Sequence, residues 1–550
     1  MARGSWNLKA VPSVAPGLAA AAPSEHLAAW PGLEEPLRSL HYSGRVALGA
    51  RSYHFPWAGT TPALDAHYWY VESERDPSSD PIILWIQGGP GGSSIGGGFS
   101  EMGPLAFDDR SMRTASYNST GIPSPLRNPF SWTSFAGFLA VDYADVGYSE
   151  CKRECIWDDA RTSNSLVDFL EVFFTKLFPE RKGRPLWVAG ESYAGILVTV
   201  VAGIIDHRGK AAPITLGGVM HGNGAVGHFA GGVSPETWPD GFNTNDMPED
   251  ARHHIDFFWR AGLVSDRLYA SVQAECSADW WKPSASCASV MREMRAAMGD
   301  FSEYGTYWNV YDIYDTCSDM HRGSARLSRR TLARSTGRWA ARDTALAGAD
   351  SLSYAGESFR GEPEHSASWF CGRAKASTTY MNLVRAAMHI PKNVTRRWSP
   401  ETNLKWNCSQ DDPVAFASNF TTCNIQDFRP MIKDLATRAP FLVYSGDVDA
   451  QLPHTATERW TGSLGFRELQ PWRPWHVGEA FVGGYVTRYE HDFTYATVKG
   501  AGHMVPTFRP QAARDMVQRF IETRRLTAVD RRDSATEYDA VGLHGSAILV

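Results

Sequence analysis

Ser192, Asp449 and His503 are the residues of this chain whose types and settings suit nucleophilic chemistry. Ser192 lies in Gly190-Glu191-Ser192-Tyr193-Ala194-Gly195, after a strand-like run, Pro185-Leu186-Trp187-Val188, and before an apolar run from Ile196 to Ile205. A strand that turns sharply into a helix leaves such a serine exposed at the helix N-terminus, and Gly190 and Gly195 give room for the turn. Asp449 follows the apolar run Pro440-Phe441-Leu442-Val443-Tyr444-Ser445-Gly446. His503 follows Phe493-Thr494-Tyr495-Ala496-Thr497-Val498 and the turn Lys499-Gly500-Ala501-Gly502. Such a histidine would take the serine proton and return it to a leaving group, while the aspartate fixes the imidazole tautomer. Asp447 competes for the aspartate's place, and Asp449 is preferred.

A second serine shows that context decides. Gly356-Glu357-Ser358-Phe359-Arg360-Gly361 has nearly the same spacing, but no β-branched strand precedes it. Gly361, Glu362 and Pro363 would break any following helix, so Ser358 reads as a loop serine.

The elements that must position the three residues are strands whose ends converge. Tyr42–Leu48 and Ala66–Val71 read as strands, and Pro81-Ile82-Ile83-Leu84-Trp85-Ile86 as a buried one that empties into Gln87-Gly88-Gly89-Pro90-Gly91-Gly92-Ser93-Ser94. Consecutive glycines there suit a tight turn or an anion site, since they expose backbone N–H groups. A run from Phe135 to Val141 ends at Asp142, a helical stretch from Thr162 to Leu177 follows, and then comes the Ser192 strand. Strand, helix, strand at this spacing predicts an α/β chain with a mostly parallel central sheet flanked by helices. A helix from Pro510 to Thr523 closes the core.

Residues 1–40 read as an N-terminal extension or weak signal region, and 41–232 as the first part of the core. Residues 233–376, rich in Trp, Cys and Met, read as an inserted, mainly helical cap. Within it, 321–342 carries seven arginines with little apolar period: a solvated loop, or more sharply a loop cut by a trypsin-like protease. The core resumes over 377–525, and 526–550 is a polar tail.

Composition sets outer bounds. The chain has 550 residues, 43% hydrophobic and 21% charged, with ample material for a large core. A formal charge of -6 provides no basic field for nucleic acid. Most of the twenty Trp and twenty Tyr read as plain core. Eight cysteines contain no Cys-x-x-Cys pair, so zinc and thioredoxin-like chemistry are poorly supported. An even cysteine count with sequons at Asn118, Asn393, Asn407 and Asn419 leans toward an oxidising, secretory route, although the N-terminus makes a poor signal peptide. The longest apolar run near Ser192 is too short to span a bilayer.

Taken in order, Trp85–Gly91, Phe99-Ser100-Glu101-Met102-Gly103-Pro104, Asn128-Pro129-Phe130-Ser131-Trp132, Gly190–Gly195, Gly222-Asn223-Gly224, Ser445–Asp449 and Gly500-Ala501-Gly502-His503-Met504-Val505-Pro506 resemble the serine carboxypeptidases, a branch of the α/β-hydrolase fold. The order Ser, Asp, His at strand ends is that of α/β-hydrolases. The resemblance implies Asp449 as the triad aspartate and the backbone N–H groups of Gly89 and Tyr193 as an oxyanion hole. It implies that a substrate's terminal carboxylate is held by the Gly88 N–H, the Gln87 amide, Glu101 and Glu191, with Met504 as a further substrate contact. Three departures stand out: Gln87 where the family usually has Asn, Gly92 where it usually has Cys, and Asp142-Tyr143-Ala144-Asp145-Val146-Gly147-Tyr148-Ser149, shorter than the family loop and without its proline.

Two glutamates beside a carboxylate are repulsive unless protons are shared. Proximity raises carboxyl pKa values, so a protonated pair donates hydrogen bonds to the anion and binds it best at acid pH. The expected protein is thus an acid-active serine carboxypeptidase acting on peptide or protein C-termini through an acyl-enzyme, with no metal or organic cofactor. Alternatives on the same scaffold are an acyltransferase, and a protective or binding partner protein. An extracellular or vacuolar/lysosomal location is expected, and homodimers occur in the family.

Overall fold

The computed structural model describes residues 26–527, apart from 28, 54–58, 108, 144, 153–156, 210–211, 229–249, 277–283, 299–300, 303–307, 315–372, 395, 400–425 and 479–480. Ser358, the arginine-rich 321–342, Asn407, Asn419, the first 25 residues and nearly all of the polar tail lie outside the described residues. Asn118 and Asn393 are exposed.

The strands of the main sheet are β1 (His41–Leu48), β2 (Leu64–Val71), β3 (Ile82–Ile86), β4 (Gly137–Asp142) and β5 (Pro185–Ser192). They continue with β6 (Thr215–Gly224), β7 (Phe441–Gly446), β8 (Glu468–Val477), β9 (Phe481–Tyr489) and β10 (Phe493–Val498). Their spatial order is β1-β2-β4-β3-β5-β6-β7-β10-β9-β8, with a two-residue strand, Glu150–Cys151, added to β2. The six central strands, β4 to β10 in that order, are parallel to one another. Both margins are antiparallel: β1 and β2 on one side, β9 and β8 on the other. The expected parallel sheet is therefore the centre of a larger mixed one.

The centre is parallel because it is covered on both sides. Every residue of β3, β4, β7 and β10 is buried, which is why these strands read as continuous apolar runs. Helices α2 (Asp159–Val172) and α3 (Ala194–Arg208) pack one face, where Phe169, Phe173, Ile196 and Val200 meet Leu84, Ile86 and Val188. Helices α1 (Ser94–Ser100), α7 (Arg373–Leu383) and α9 (Pro510–Thr523) pack the other, on an aromatic layer containing Trp69, Trp85, Trp187 and Phe99. Twelve residues of α3, Ala194 to Ile205, are all buried, as befits a helix apolar on every side.

Helices α4 (Asp250–Arg260), α5 (Asp266–Glu275) and α6 (Ala285–Met298) make a separate apolar cluster, and α5 and α6 are joined by the Cys276–Cys287 disulfide. That cluster includes Val310 and Ala450, so it reaches the loop after β7. A last helix, α8 (His454–Ser463), follows that loop. No helix among the described residues is long and apolar enough to cross a membrane.

Candidate active site

Ser192 is the last residue of β5, and α3 begins two residues later. The sharp turn falls on the serine itself, at φ 59°, a left-handed backbone that side chains other than glycine rarely adopt. Gly190 and Gly195 serve it by clearance, and neither has a positive φ of its own. A Cβ on Gly190 would stand 2.6 Å from Ile86 O and 2.9 Å from Ala194 Cβ. One on Gly195 would stand 2.5 Å from Ala225 O. Because the obstacle at Gly190 is a backbone carbonyl, Gly190→Ala is expected to cost about 1–3 kcal/mol through overpacking and to misplace Ser192. Thermal unfolding should show a Tm lowered by several degrees; an unchanged Tm would mean the elbow repacks freely.

Asp449 stands in the loop after β7, fully buried, and receives four donors. His503 Nδ1 lies 2.7 Å from Oδ2, and Asn223 Nδ2 donates to the same oxygen at 2.7 Å. The Gln451 N–H donates to Oδ1 at 2.8 Å and the Leu452 N–H to Oδ2 at 3.3 Å. The Asn223 amide is oriented in turn, because its Oδ1 accepts from the Gly446 N–H at 3.0 Å. With a carboxylate facing Nδ1, the proton belongs on that nitrogen and Nε2 is left as the acceptor. Nε2 of His503 is buried and makes no hydrogen bond in the structure, so Ser192 and His503 are not closed onto one another. Such bonds often tighten only with substrate present.

Asp447, the competing aspartate, is turned elsewhere. Its Oδ1 accepts from the Gly500 N–H at 2.5 Å, and burial pushes its carboxyl up to about 6. It braces the turn before His503 without touching the imidazole.

Beside the serine, β3 ends at Ile86 and runs into Gln87 and Gly88. Space is tight there: a Cβ on Gly88 would lie 2.6 Å from Ser192 Cβ. Gln87 is held at both ends, its Oε1 accepting from Trp85 Nε1 at 2.8 Å and its Nε2 donating to Glu191 Oε1 at 2.8 Å. Glu101, at the C-terminal end of α1, is buried, with neither oxygen in hydrogen-bonding geometry, yet its carboxyl faces Glu191 and Gln87. Burial pushes Glu101 up to about 7, with the Glu191 and Gln87 contacts and the nearby His503 pulling it down. Burial and then the Glu101 charge raise Glu191 well above the usual carboxylate range. Tyr444, buried on β7 near the pair, has its hydroxyl raised by burial and by both glutamates. Met504 follows His503, half-buried.

A Cβ at Gly92 would sit 3.0 Å from Gln87 Cγ and 2.8 Å from Gly88 O. The tighter of these contacts is to a backbone carbonyl, so glycine is what the packing of this loop admits at 92.

Sequence reasoning assigned no role to Asn223, although it stood in one of the quoted motifs. It also placed Val310 to Ile313 in the cap, whereas this segment laces the site together. The His503 N–H donates to Tyr311 O at 2.7 Å, with the Tyr311 ring 5.0 Å from the imidazole. The Ala450 N–H donates to Val310 O at 2.9 Å, and the Ile313 N–H to Val448 O at 3.2 Å. The β-prone run Asn309-Val310-Tyr311 was the available signal.

A family model described as serine carboxypeptidase matches residues 31–523. Serine carboxypeptidase 1 of Hordeum vulgare is 28% identical over 520 residues, covering 90% of this chain and 92% of that one. The lysosomal protective protein of Mus musculus is 28% identical over 506 residues, covering 89% and 92%. Among solved structures, a prohormone-processing carboxypeptidase from Saccharomyces cerevisiae shares the fold, with a TM-score of 0.58 at 17% identity over 90% of this chain and 94% of that one. With its α/β-hydrolase sheet and a family match that runs from before β1 to the end of α9, the chain belongs to the serine carboxypeptidase family.

Proposed function

We propose that this protein is an acid-active serine carboxypeptidase in which Ser192, His503 and Asp449 form the catalytic triad. His503 Nε2 takes the Ser192 proton as Oγ attacks the last peptide bond. The Gly89 and Tyr193 N–H groups receive the developing oxyanion, and the imidazolium, balanced by Asp449, returns the proton to the departing amino acid. Water then enters by the reverse proton path and releases the shortened peptide. The secretory route, extracellular or vacuolar/lysosomal, fits the Cys276–Cys287 disulfide.

The observation that carries this reading is the cluster of the buried Glu101 and Glu191 with the half-buried Gln87 next to Ser192. A general esterase has no use for two carboxyls held at raised pKa beside its nucleophile. A carboxypeptidase does: protonated, they donate to the substrate's terminal carboxylate together with the Gly88 N–H and the Gln87 amide. The sign follows from the direction of the shifts. Below about 7 Glu101 is neutral and donates; above it, the site gains a negative charge facing the substrate anion.

The test is the pH dependence of KM for N-blocked dipeptides and their C-terminal amides, with Ser192→Ala as control. For the free carboxylate, KM should rise roughly 10-fold or more from pH 5 to pH 8, since a like-charge contact costs on the order of 1.4 kcal/mol or more. The amides should be poor substrates at pH 5 and lack that rise. A flat KM profile would sink the proposed carboxylate site. No release from a protein whose Ser192 still reacts with an organophosphate would point to acyl transfer instead.

A further inference from the structure

We propose that Tyr143 is a positioning residue that presets the oxyanion loop, holding the Gly89 N–H in place through its phenolic hydroxyl. The inference rests on the reading of Gly89 as an oxyanion donor and goes beyond it by naming what fixes that donor.

The loop from Gln87 to Gly92 has every reason to be loose. Four of its six residues are glycine, with φ 122° at Gly89 and 98° at Gly91, conformations that carry a large entropy cost to fix. Gly92, lacking a side chain, gives the loop no anchor of its own. Within the loop, the Gly92 N–H donates to Gly88 O at 2.8 Å. At its start the Gln87 N–H donates to Ser94 Oγ at 3.3 Å and the Gln87 side chain is held by Trp85 and Glu191; around Gly89 the restraint comes from the far side of β3, from the residue just beyond the end of β4. The Tyr143 hydroxyl accepts from the Gly91 N–H at 2.7 Å and is positioned to donate to Gln87 O at 3.2 Å or Gly88 O at 3.4 Å. One oxygen thus contacts backbone groups on both sides of Gly89.

The anchor itself is rigid. Tyr143 is 1% exposed, in the apolar layer that also holds Leu139, Val141 and Tyr193. A hydroxyl suits this place because it gives one donor and one acceptor from a single atom, meeting a backbone N–H on one side and a carbonyl on the other. Asp142, the preceding residue, fixes the other end of the glycine loop: its Oδ1 accepts from Ser93 Oγ at 2.8 Å and from the Ile95 N–H at 3.2 Å. The end of β4 therefore grips both the loop and the start of α1. An oxyanion donor contributes in proportion to how little it must reorganise as charge develops, so a restraint that acts before substrate arrives acts on the transition state.

The test is Tyr143→Phe, which keeps the ring and removes the hydroxyl. Removing an oxyanion donor outright costs ~10²–10³ in rate, and a donor left in place but unpinned should lose part of that, roughly 10- to 100-fold in kcat, with KM nearly unchanged. Affinity for a peptide boronate, which forms a tetrahedral adduct on the serine, should fall by the same factor, while affinity for a non-reacting dipeptide competitor should hold. Tyr143→Gln, which restores a donor and an acceptor, should recover part of the kcat. Should the phenylalanine variant fail to fold, the glutamine variant decides, with kcat and boronate affinity below wild type by matching factors. Equal loss in kcat and in competitor binding, or a fall in Tm with kcat intact, would show a structural role and overturn the inference. A wild-type protein that neither cleaves peptides nor binds the boronate would take down the functional reading as well.

Discussion

Ser192→Ala is expected to lower kcat/KM for an N-blocked dipeptide at pH 5 by about 10⁶-fold, the scale on which losing a triad nucleophile removes covalent catalysis. Two features argue for a clean effect. Among the described residues the side chain makes no hydrogen bond, and alanine at φ 59° is no more strained than serine, so Tm should stay close to wild type. The carboxylate cluster is built from Gln87, Glu101 and Glu191, not from the hydroxyl, so KM or the affinity of a product-like competitor should change little. Because the three residues act as a unit, adding His503→Ala should cost almost nothing further. A loss below about 100-fold, against a floor set by the background enzyme in a mock preparation, would mean that another nucleophile acts.

Why so much of this site was legible in the sequence, and some of it not, follows from the range of the interactions involved. Ser192 ends a largely buried strand and Asp449 and His503 each follow a buried one, and such a strand announces itself as an apolar run with glycine near its end. Helix α9 was likewise readable at both ends, with Pro510 opening it. Helix α2 begins at Asp159, ahead of the expected Thr162, because its start is a cap: Asp158 accepts from the Arg161 N–H at 2.7 Å and begins the helix before the apolar pattern does. Its far end loosens into a π-type turn over Phe173–Leu177, which no periodicity signals.

The hairpin of β8 and β9 was missed for another reason. Pro471 and Pro474 interrupt β8, which is tolerable because β8 is the edge of the sheet, and Trp472, Phe481 and Tyr485 face outward, so the alternation that marks a half-buried strand is lost. The contacts that set chemistry were the least legible. Gln87 and Glu191 come together only because β3 and β5 are parallel neighbours, with Gly190 opposite Ile86. That Tyr143 bonds backbone 52 residues away, or that Tyr311 O receives the His503 N–H, has no local trace. Triads are marked by what precedes them in the chain; their supports are marked only by the fold.

The second large effect concerns Asp449, where two substitutions should differ. Asp449→Ala is expected to reduce kcat by ~10⁴-fold, as loss of the orienting carboxylate does in such triads. It also leaves the Gln451 and Leu452 N–H groups buried without that acceptor, at about 1–3 kcal/mol each, and leaves Asn223 Nδ2 only its long bond to Leu452 O at 3.4 Å, so Tm should fall. Asp449→Asn is the sharper experiment. An amide has one oxygen and one NH₂ to place where the carboxylate has two oxygens. At the Oδ2 position three donors converge, from His503, Asn223 and Leu452; at Oδ1 there is one, from Gln451. Asn223 cannot turn round to relieve a clash, since the Gly446 N–H holds its Oδ1. The amide oxygen should therefore take the Oδ2 position and keep the proton on His503 Nδ1, with a single donor–donor conflict at Gln451. What is lost is the charge that balances the imidazolium, roughly 10²- to 10³-fold in kcat, milder than the ~10⁴ seen when a substituted amide forces the wrong tautomer. Nitrogen chemical shifts of His503 read the tautomer directly. A protonated Nε2 in Asp449→Asn, with kcat as low as in Asp449→Ala, would mean that the donors around Oδ2 do not fix the side chain's orientation.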